Sequence, residues 1–172
     1  MKISMHAMSV GLFSNTLGNL SAILDKGLAN ATTRKFEPAV LLAARLAPDM
    51  LPLTRQVQIA CDIAKNSIAR LAGQEPRRFE DNETSFEQLR ARIAATIDYM
   101  KSIPASALEG SEDRDIKVPA GGDRTLDFKG LAYLQVWAIP NVLFHVTTAY
   151  DILRHNGVEL GKRDFIAGAN PA

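Results

Sequence analysis

Apolar residues recur at three- and four-residue spacing over three long stretches of the chain, and this period predicts α-helices. The first stretch runs from about Ser4 to Asn30 and the second from about Leu53 to Ala72. The third begins at Thr84, which stands three residues before Glu87 as in a capping box, and it ends before Pro104. A shorter helix is predicted from about residue 38 to residue 46. The dominant pattern is therefore helical.

The period changes from helical to alternating between residues 114 and 128. Ile116 and Val118, then Leu126 and Phe128, alternate with polar residues on the two sides of a glycine-rich turn. This arrangement is typical of a β-hairpin.

A fourth long helix is predicted from about Gly130 to Asn156, with Gly157 as its stop and a kink at Pro140. The four long helices and the hairpin account for most of the 172 residues. The sequence thus predicts a single domain over residues 1–172, an all-α up-and-down four-helix bundle with a small β-hairpin insertion before the last long helix.

The last predicted helix is unusual because it carries no charge between Lys129 and Asp151. At the average charge density of the chain, about five charged residues would fall there. The stretch is long enough to span a bilayer, but Gln135, Asn141 and His145 would then lie in lipid, so we interpret it as buried in protein. A helix that is apolar on all sides is either central in a bundle or in contact with a second subunit.

Composition excludes several classes of function. The chain has 20 Lys and Arg against 19 Asp and Glu, and a net charge of +1 provides no field for a phosphate backbone or an anionic membrane. The single cysteine, Cys61, cannot form an internal disulfide, and its place on an apolar stripe predicts a core residue. We therefore expect a cytoplasmic protein that binds neither nucleic acid nor membranes.

The candidate catalytic residues are His145 and Asn141, which lie one turn apart on the last predicted helix. A neutral imidazole can bind a metal or accept a proton, whereas the alternative is a buried histidine that bonds neighbouring helices. Trp137 and Thr148 fall on the same face and are candidate ligand-binding residues. Tyr150 is a further candidate, with a packing role as its alternative.

Three other positions depend on how the helices pack. Asp62 is a candidate ligand-binding residue only if the second long helix is buried on two sides; otherwise Asp62 and Lys65 form an ordinary surface pair. His155 lies about 15 Å along the helix axis from His145, so the two cannot bind one ion. His6 reaches the same site only if the fold brings it there.

Two segments resemble the motifs of a bacterial family of unknown function. The run from Pro140 to Val158, which contains Tyr150-Asp-Ile-Leu-Arg-His-Asn-Gly, resembles its C-terminal signature, and the segment from Gln56 to Gly73 resembles its middle motif. That family is grouped with the DinB/YfiT-like metalloenzyme superfamily. The resemblance covers nearly the whole chain and implies a DinB-like four-helix bundle that forms a homodimer.

The superfamily typically binds a divalent metal such as zinc or nickel through three histidines, two of them in an HxxxH pair. Here His145 matches at most one member of that pair, because Ala149 occupies the other position. The resemblance implies a degenerate metal-dependent or small-molecule-transforming enzyme with an inter-helix pocket around His145. The alternative is a non-catalytic ligand-binding or stress-related structural homodimer.

Overall fold

Four long helices form the body of the protein. A computed structural model describes residues 3–122 and 124–168. In chain order its α-helices are α1 (Leu12–Arg34), α2 (Ala39–Ala43), α3 (Leu53–Leu71), α4 (Phe86–Ser102), α5 (Gly130–Ala132), α6 (Ile139–His155) and α7 (Lys162–Ala167). A π-helical turn, Ala7–Gly11, precedes α1, and two 3-10 turns, Ala105–Leu108 and Ser111–Asp113, follow α4. The predicted all-α bundle is confirmed.

Helix α3 lies between α4 and α6, and α1 contacts the same two helices from the other side. Near one end of the α3–α6 pair, Gln56 bonds His145; near the other end, Ser67 bonds Tyr133. A residue early in α3 thus contacts one late in the last helical stretch, and a residue late in α3 contacts one early in that stretch. Helices α3 and α6 are therefore antiparallel. Helix α3 is thus covered on two sides.

Helices α3 and α4 run in the same direction. Gly27 of α1 packs against Phe86 at the start of α4 and Leu153 near the end of α6, and a Cβ at Gly27 would lie 3.1 Å from the Leu153 side chain. The start of α4 therefore lies at the same end of the bundle as the start of α3. Helix direction does not alternate at this step, so residues 72–85 must run back along the bundle.

The ends of the helices follow from local sequence. Helix α3 matches its prediction to within one residue, and Gly73, with φ +70°, takes the left-handed conformation beyond its end. At the start of α4 the predicted capping box of Thr84 and Glu87 is replaced by a related arrangement one residue later. Ser85 is the N-cap and accepts from the Gln88 amide at 3.2 Å, while the Gln88 side chain accepts from the Thr84 amide at 2.6 Å.

The predicted hairpin is formed by β1 (Asp115–Pro119) and β2 (Thr125–Lys129), which pair antiparallel. Ile116 pairs with Phe128, so one face of the hairpin is apolar. The Phe128 ring packs against Tyr133 and Trp137, each with a centroid distance of 5.9 Å. The hairpin therefore covers the beginning of the last long helical stretch.

This stretch is continuous from Gly130 to His155 but changes its winding. Between α5 and α6, the segment Tyr133–Ala138 is π-helical, and Pro140 lies in the first turn of α6. Proline has no amide hydrogen for the regular helical ladder, and the change in winding comes directly before Pro140. The end of α6 is closed by Gly157 at φ +88°.

The uncharged stretch is buried on one side and exposed on the other. Its inner residues pack on α3 and α1, whereas Val136 and Phe144 are 64% and 57% exposed. Within one copy of the chain the outer face is therefore exposed, and its contact with a second subunit stays a prediction. In the described part of the chain, no helix has the length and apolar character needed to cross a membrane.

Candidate functional site

His145 of α6 is oriented by Gln56 of α3. His145 Nδ1 lies 2.7 Å from Gln56 Oε1, and the Gln56 side-chain amino group donates to the Leu51 carbonyl at 3.0 Å. Since that second bond turns the amide oxygen toward the imidazole, Nδ1 must be the protonated nitrogen. Gln56 is 2% exposed, so its orientation is fixed by the surrounding helices. In the neutral imidazole, Nε2 then keeps its lone pair.

The surroundings of His145 favour this neutral form. Burial lowers the pKa of His145 below its usual value, so the ring is uncharged at pH 7. The side chain is nevertheless partly exposed, and the Phe144 ring stands edge-on to it with a centroid distance of 5.2 Å. Among the described residues, Nε2 has no hydrogen-bond partner and is not sealed in the core.

The predicted neighbours of His145 share its face of the helix, but their polar groups bond their own backbone. The Asn141 side-chain nitrogen donates to the Trp137 carbonyl at 2.7 Å, and the Thr148 hydroxyl donates to the Phe144 carbonyl at 2.8 Å. Tyr150 lies on the opposite side of α6, where its ring meets Phe165 edge-on at 6.2 Å. The structure therefore brings Asn141 and Thr148 near His145 but separates Tyr150 from them.

The donors around His145 do not fit the three-ligand divalent metal site of the superfamily. Ala149 occupies the second position of the HxxxH pair, and Gln56 uses its oxygen on Nδ1. Within residues 3–122 and 124–168, no three His, Cys, Asp or Glu side chains are grouped closely enough to hold a metal ion. His6 lies elsewhere, in a cavity of about 550 Å³ that it lines together with Glu109 and Glu112 and that does not include His145.

Asp62 belongs to a different cluster, centred on Arg92 of α4. Asp62 Oδ1 lies 2.9 Å from Arg92 Nη2 and 3.1 Å from Lys65 Nζ. The side chains of Arg92 and Lys65 are 2% and 3% exposed. The alternative of an ordinary surface pair is thus wrong, because α4 and α6 both cover α3. Because α3 is buried on two sides, Asp62 stays a candidate ligand-binding residue. It lies, however, in a different cluster from His145.

The connection between α3 and α4 completes this cluster. We call residues 74–85 the strap; they form neither helix nor strand. Asp81 Oδ1 lies 2.9 Å from Arg92 Nη2, and Arg92 Nη1 donates to Glu83 Oε1 at 3.0 Å. The same nitrogen donates to the Glu80 carbonyl at 2.8 Å. The guanidinium therefore fastens the strap to the bundle.

Helix α3 holds the strap from its other side. Arg55 Nη1 donates to Asp81 Oδ2 at 2.5 Å, and the Gln58 side-chain nitrogen donates to Glu83 Oε2 at 2.7 Å. Burial acts to raise the pKa of Asp81, but the bond from Arg55 and the charge of Arg92 together bring that pKa below its usual value. Asp81 is thus held as an ionised partner between Arg55 and Arg92.

Sequence reasoning missed Arg92, Arg55 and Gln58, since charged and amide side chains are expected on solvated faces. One sequence signal for the burial of Arg92 was present. Arg92 directly precedes Ile93 at the edge of an apolar stripe, so a wide buried face of this helix would include it. The expectation for Cys61 is confirmed, because it is fully buried and burial raises its thiol pKa to about 12.

Comparisons with known proteins agree with this architecture. A family model described as a domain of unknown function, DUF1993, matches residues 5–166. The chain belongs to the DUF1993 family. The structure is similar to the crystal structure of a DinB family member protein from Shewanella denitrificans, with a TM-score of 0.88. The two sequences are 42% identical, and the match covers 95% of this DUF1993 chain and 92% of that one. No curated protein sequence matches the chain.

The DUF1993 chain is thus a DinB-like helical protein with two polar clusters on one helix. Gln56 of α3 faces His145, while Asp62 and Lys65 face Arg92 and the strap. The first cluster contains a neutral ring with an available nitrogen. The second contains opposite charges that are already paired.

Proposed function

We propose that this DinB-like protein transforms a small molecule, and that neutral His145 accepts a proton from it through Nε2. The observation that supports the proposal most directly is the hydrogen bond between His145 Nδ1 and Gln56 Oε1, 2.7 Å long. A general base must be unprotonated at the working pH and must present a fixed lone pair to its substrate. The Gln56 bond and partial burial meet both requirements.

The residues on the same face have supporting roles in this proposal. Asn141 is held by its bond to the Trp137 carbonyl, and its amide oxygen is the acceptor it offers to a bound molecule. Trp137 lies one turn farther toward the start of the helix, where its ring packs against Phe128, and we retain it as a proposed ligand contact. Because the ligand set around His145 does not fit a divalent metal, no step of the proposed reaction passes through one.

We further propose that two copies of the chain associate through the outer face of α6 and of the π-helical segment before it. Val136 and Phe144 are 64% and 57% exposed, and Pro140, also exposed, lies midway between them. Contiguous exposed apolar residues mark interaction surfaces. Since no charged residue lies between Lys129 and Asp151, a two-fold pairing of this face brings no like charges together. His145 would then lie beside the subunit boundary.

The reactivity of His145 can be tested with p-nitrophenyl acetate, whose hydrolysis reports an available imidazole lone pair. The His145→Gln variant should lose about tenfold or more of the wild-type rate. His155→Gln is the matched control, since His155 is exposed on the same helix, and its rate should be unchanged. Equal rates for the wild type and His145→Gln would contradict the proposed role.

The proposed dimer can be tested by sedimentation velocity at micromolar concentration. Val136→Asp should yield monomers, because it places a charge in each half of the two-fold interface. Val40→Asp is the control, since Val40 of α2 is similarly exposed, at 59%, but lies outside the α6 face. A monomeric wild type, or a Val136→Asp variant that remains dimeric, would contradict this interface.

A further inference from the structure

Lys65 and Arg92 are two buried cations that share a single carboxylate within the bundle. Their side chains are 3% and 2% exposed, and Asp62 of α3 lies near both of them. Buried charges are costly unless they are paired. With Asp62 alone, this group would carry a net charge of +1. The strap contributes Asp81 and Glu83, and Arg55, which bonds Asp81, balances the second of these negative charges.

The strap is attached to the bundle mainly by charge. Between residues 74 and 83 its only apolar residues are Pro76 and Phe79. The Phe79 ring itself lies against cations, with its centroid 5.1 Å from Lys65 Nζ and 6.0 Å from the Arg92 guanidinium carbon. A segment held in this way has little core burial to lose when its ionic contacts are exchanged for others.

A cavity of about 740 Å³ adjoins the same cluster, between the strap and α4. Arg92 and Glu83 line it on one side, and the rings of Phe79 and Tyr99, with centroids 6.4 Å apart, provide aromatic walls. Small-molecule sites typically have volumes of about 300–1,000 Å³ and combine apolar walls with a few fixed polar groups. A molecule in this cavity would therefore lie beside the guanidinium of Arg92.

We propose that Arg92, beside the second buried cation Lys65, forms a carboxylate-binding site whose internal occupants are Asp81 and Glu83 of the strap. A small molecule with a carboxylate and an apolar body enters the cavity, pairs with Arg92 in place of the strap carboxylates, and lays its apolar part against Tyr99 of α4. The ligand class follows from the present partners, since a guanidinium that binds two side-chain carboxylates offers the same donors to a free one.

The bond from Asp62 remains in this exchange and keeps Arg92 oriented, because Asp62 belongs to α3 and not to the strap. Binding releases the strap and breaks no covalent bond. The strap thus acts as an internal competitor that lowers the apparent affinity of the site. The site lies on the α4 side of α3, so its test is independent of any test on His145.

The first experiment compares benzoate with benzamide by isothermal titration, because the two probes share a ring and differ in charge. Wild-type protein should bind benzoate more tightly. Asp81→Asn removes one internal competitor and should tighten benzoate binding about fivefold. The control is Asp98→Asn, which lines the same cavity outside the ion-pair network and should change affinity less than about twofold. Equal binding of the two probes, or no effect of Asp81→Asn, would overturn the proposal.

A second experiment follows the strap itself by hydrogen–deuterium exchange. Saturating benzoate should speed exchange of amides in residues 74–85 of the wild type, whereas benzamide should not. Arg92→Lys retains the charge without the planar fork and should weaken benzoate binding about tenfold. If that variant does not fold, exchange in the wild type decides the question. Strap amides that are unaffected by bound benzoate would overturn the proposal.

Discussion

Gln56 and Gln58 lie two residues apart on α3 and are both 2% exposed, yet they belong to opposite kinds of polar cluster. Two residues of helix correspond to a rotation of about 200°, so the two side chains point to opposite sides of α3. Gln56 meets a neutral ring that keeps one nitrogen available, whereas Gln58 meets Glu83 in a network of paired charges. The packing partner therefore decides whether a buried amide orients a reactive group or secures a loop.

The largest expected effect lies in the charged cluster. Arg92→Met removes a cation that is 2% exposed and leaves Asp62, Asp81 and Glu83 without it. Breaking a buried ion pair from one side should lower the free energy of unfolding by about 3–5 kcal/mol, measured by urea denaturation. Arg90→Met is the matched control on α4, where the side chain is 43% exposed and pairs with Asp25, and it should cost about 1 kcal/mol or less. Similar losses of stability for the two variants would show that the Arg92 cluster contributes no more than an exposed surface ion pair.

Substitution of either glutamine should have an effect of intermediate size on stability. Gln56→Leu and Gln58→Leu should each lower the free energy of unfolding by about 1–3 kcal/mol, because each removes two hydrogen bonds made by a buried side chain. Their local effects should differ. Gln56→Leu should alter the NMR signals of the His145 ring and leave exchange in the strap unchanged, while Gln58→Leu should do the reverse. Strap exchange that responds equally to both variants would show that the clusters are coupled.

The smallest expected effect is a pH dependence from His145. Burial lowers its pKa in the folded state, so the unfolded chain binds more protons over the interval between the two pKa values. This contribution to stability is complete above the ordinary histidine pKa of about 6.5 and is lost as pH falls through the folded value.

Urea midpoints measured at several pH values should show the slope in the wild type and in His155→Gln, and a reduced slope in His145→Gln. A slope that persists fully in His145→Gln would assign it to other groups.

Much of the fold could be predicted because its signals are local. The clean apolar stripe of α3 and the alternation of Ile116 with Val118 depend only on neighbouring residues. The parallel course of α3 and α4 could not be predicted, since the connection over residues 72–85 is long enough for either direction. The π-helical segment before Pro140 likewise depends on how the chain packs around the missing amide hydrogen.

The candidate site likewise has one part that local sequence predicts and another that depends on packing. His145 could be identified because it is the only side chain in an uncharged stretch that titrates near neutrality. Its partner Gln56 lies 89 residues away and is recognisable only once α3 and α6 are packed together. Arg92 could not be predicted as a buried residue, because the sequence alone does not show that the strap covers its face of α4.

The central claim is that Gln56 holds His145 as a neutral ring with a free Nε2. A long-range proton–nitrogen NMR correlation spectrum of uniformly ¹⁵N-labelled protein at pH 7 tests it most directly, with exposed His155 as a reference in the same spectrum. The account predicts that the His145 ring carries its proton on Nδ1 and none on Nε2. A ring protonated on Nε2, or on both nitrogens, would contradict it.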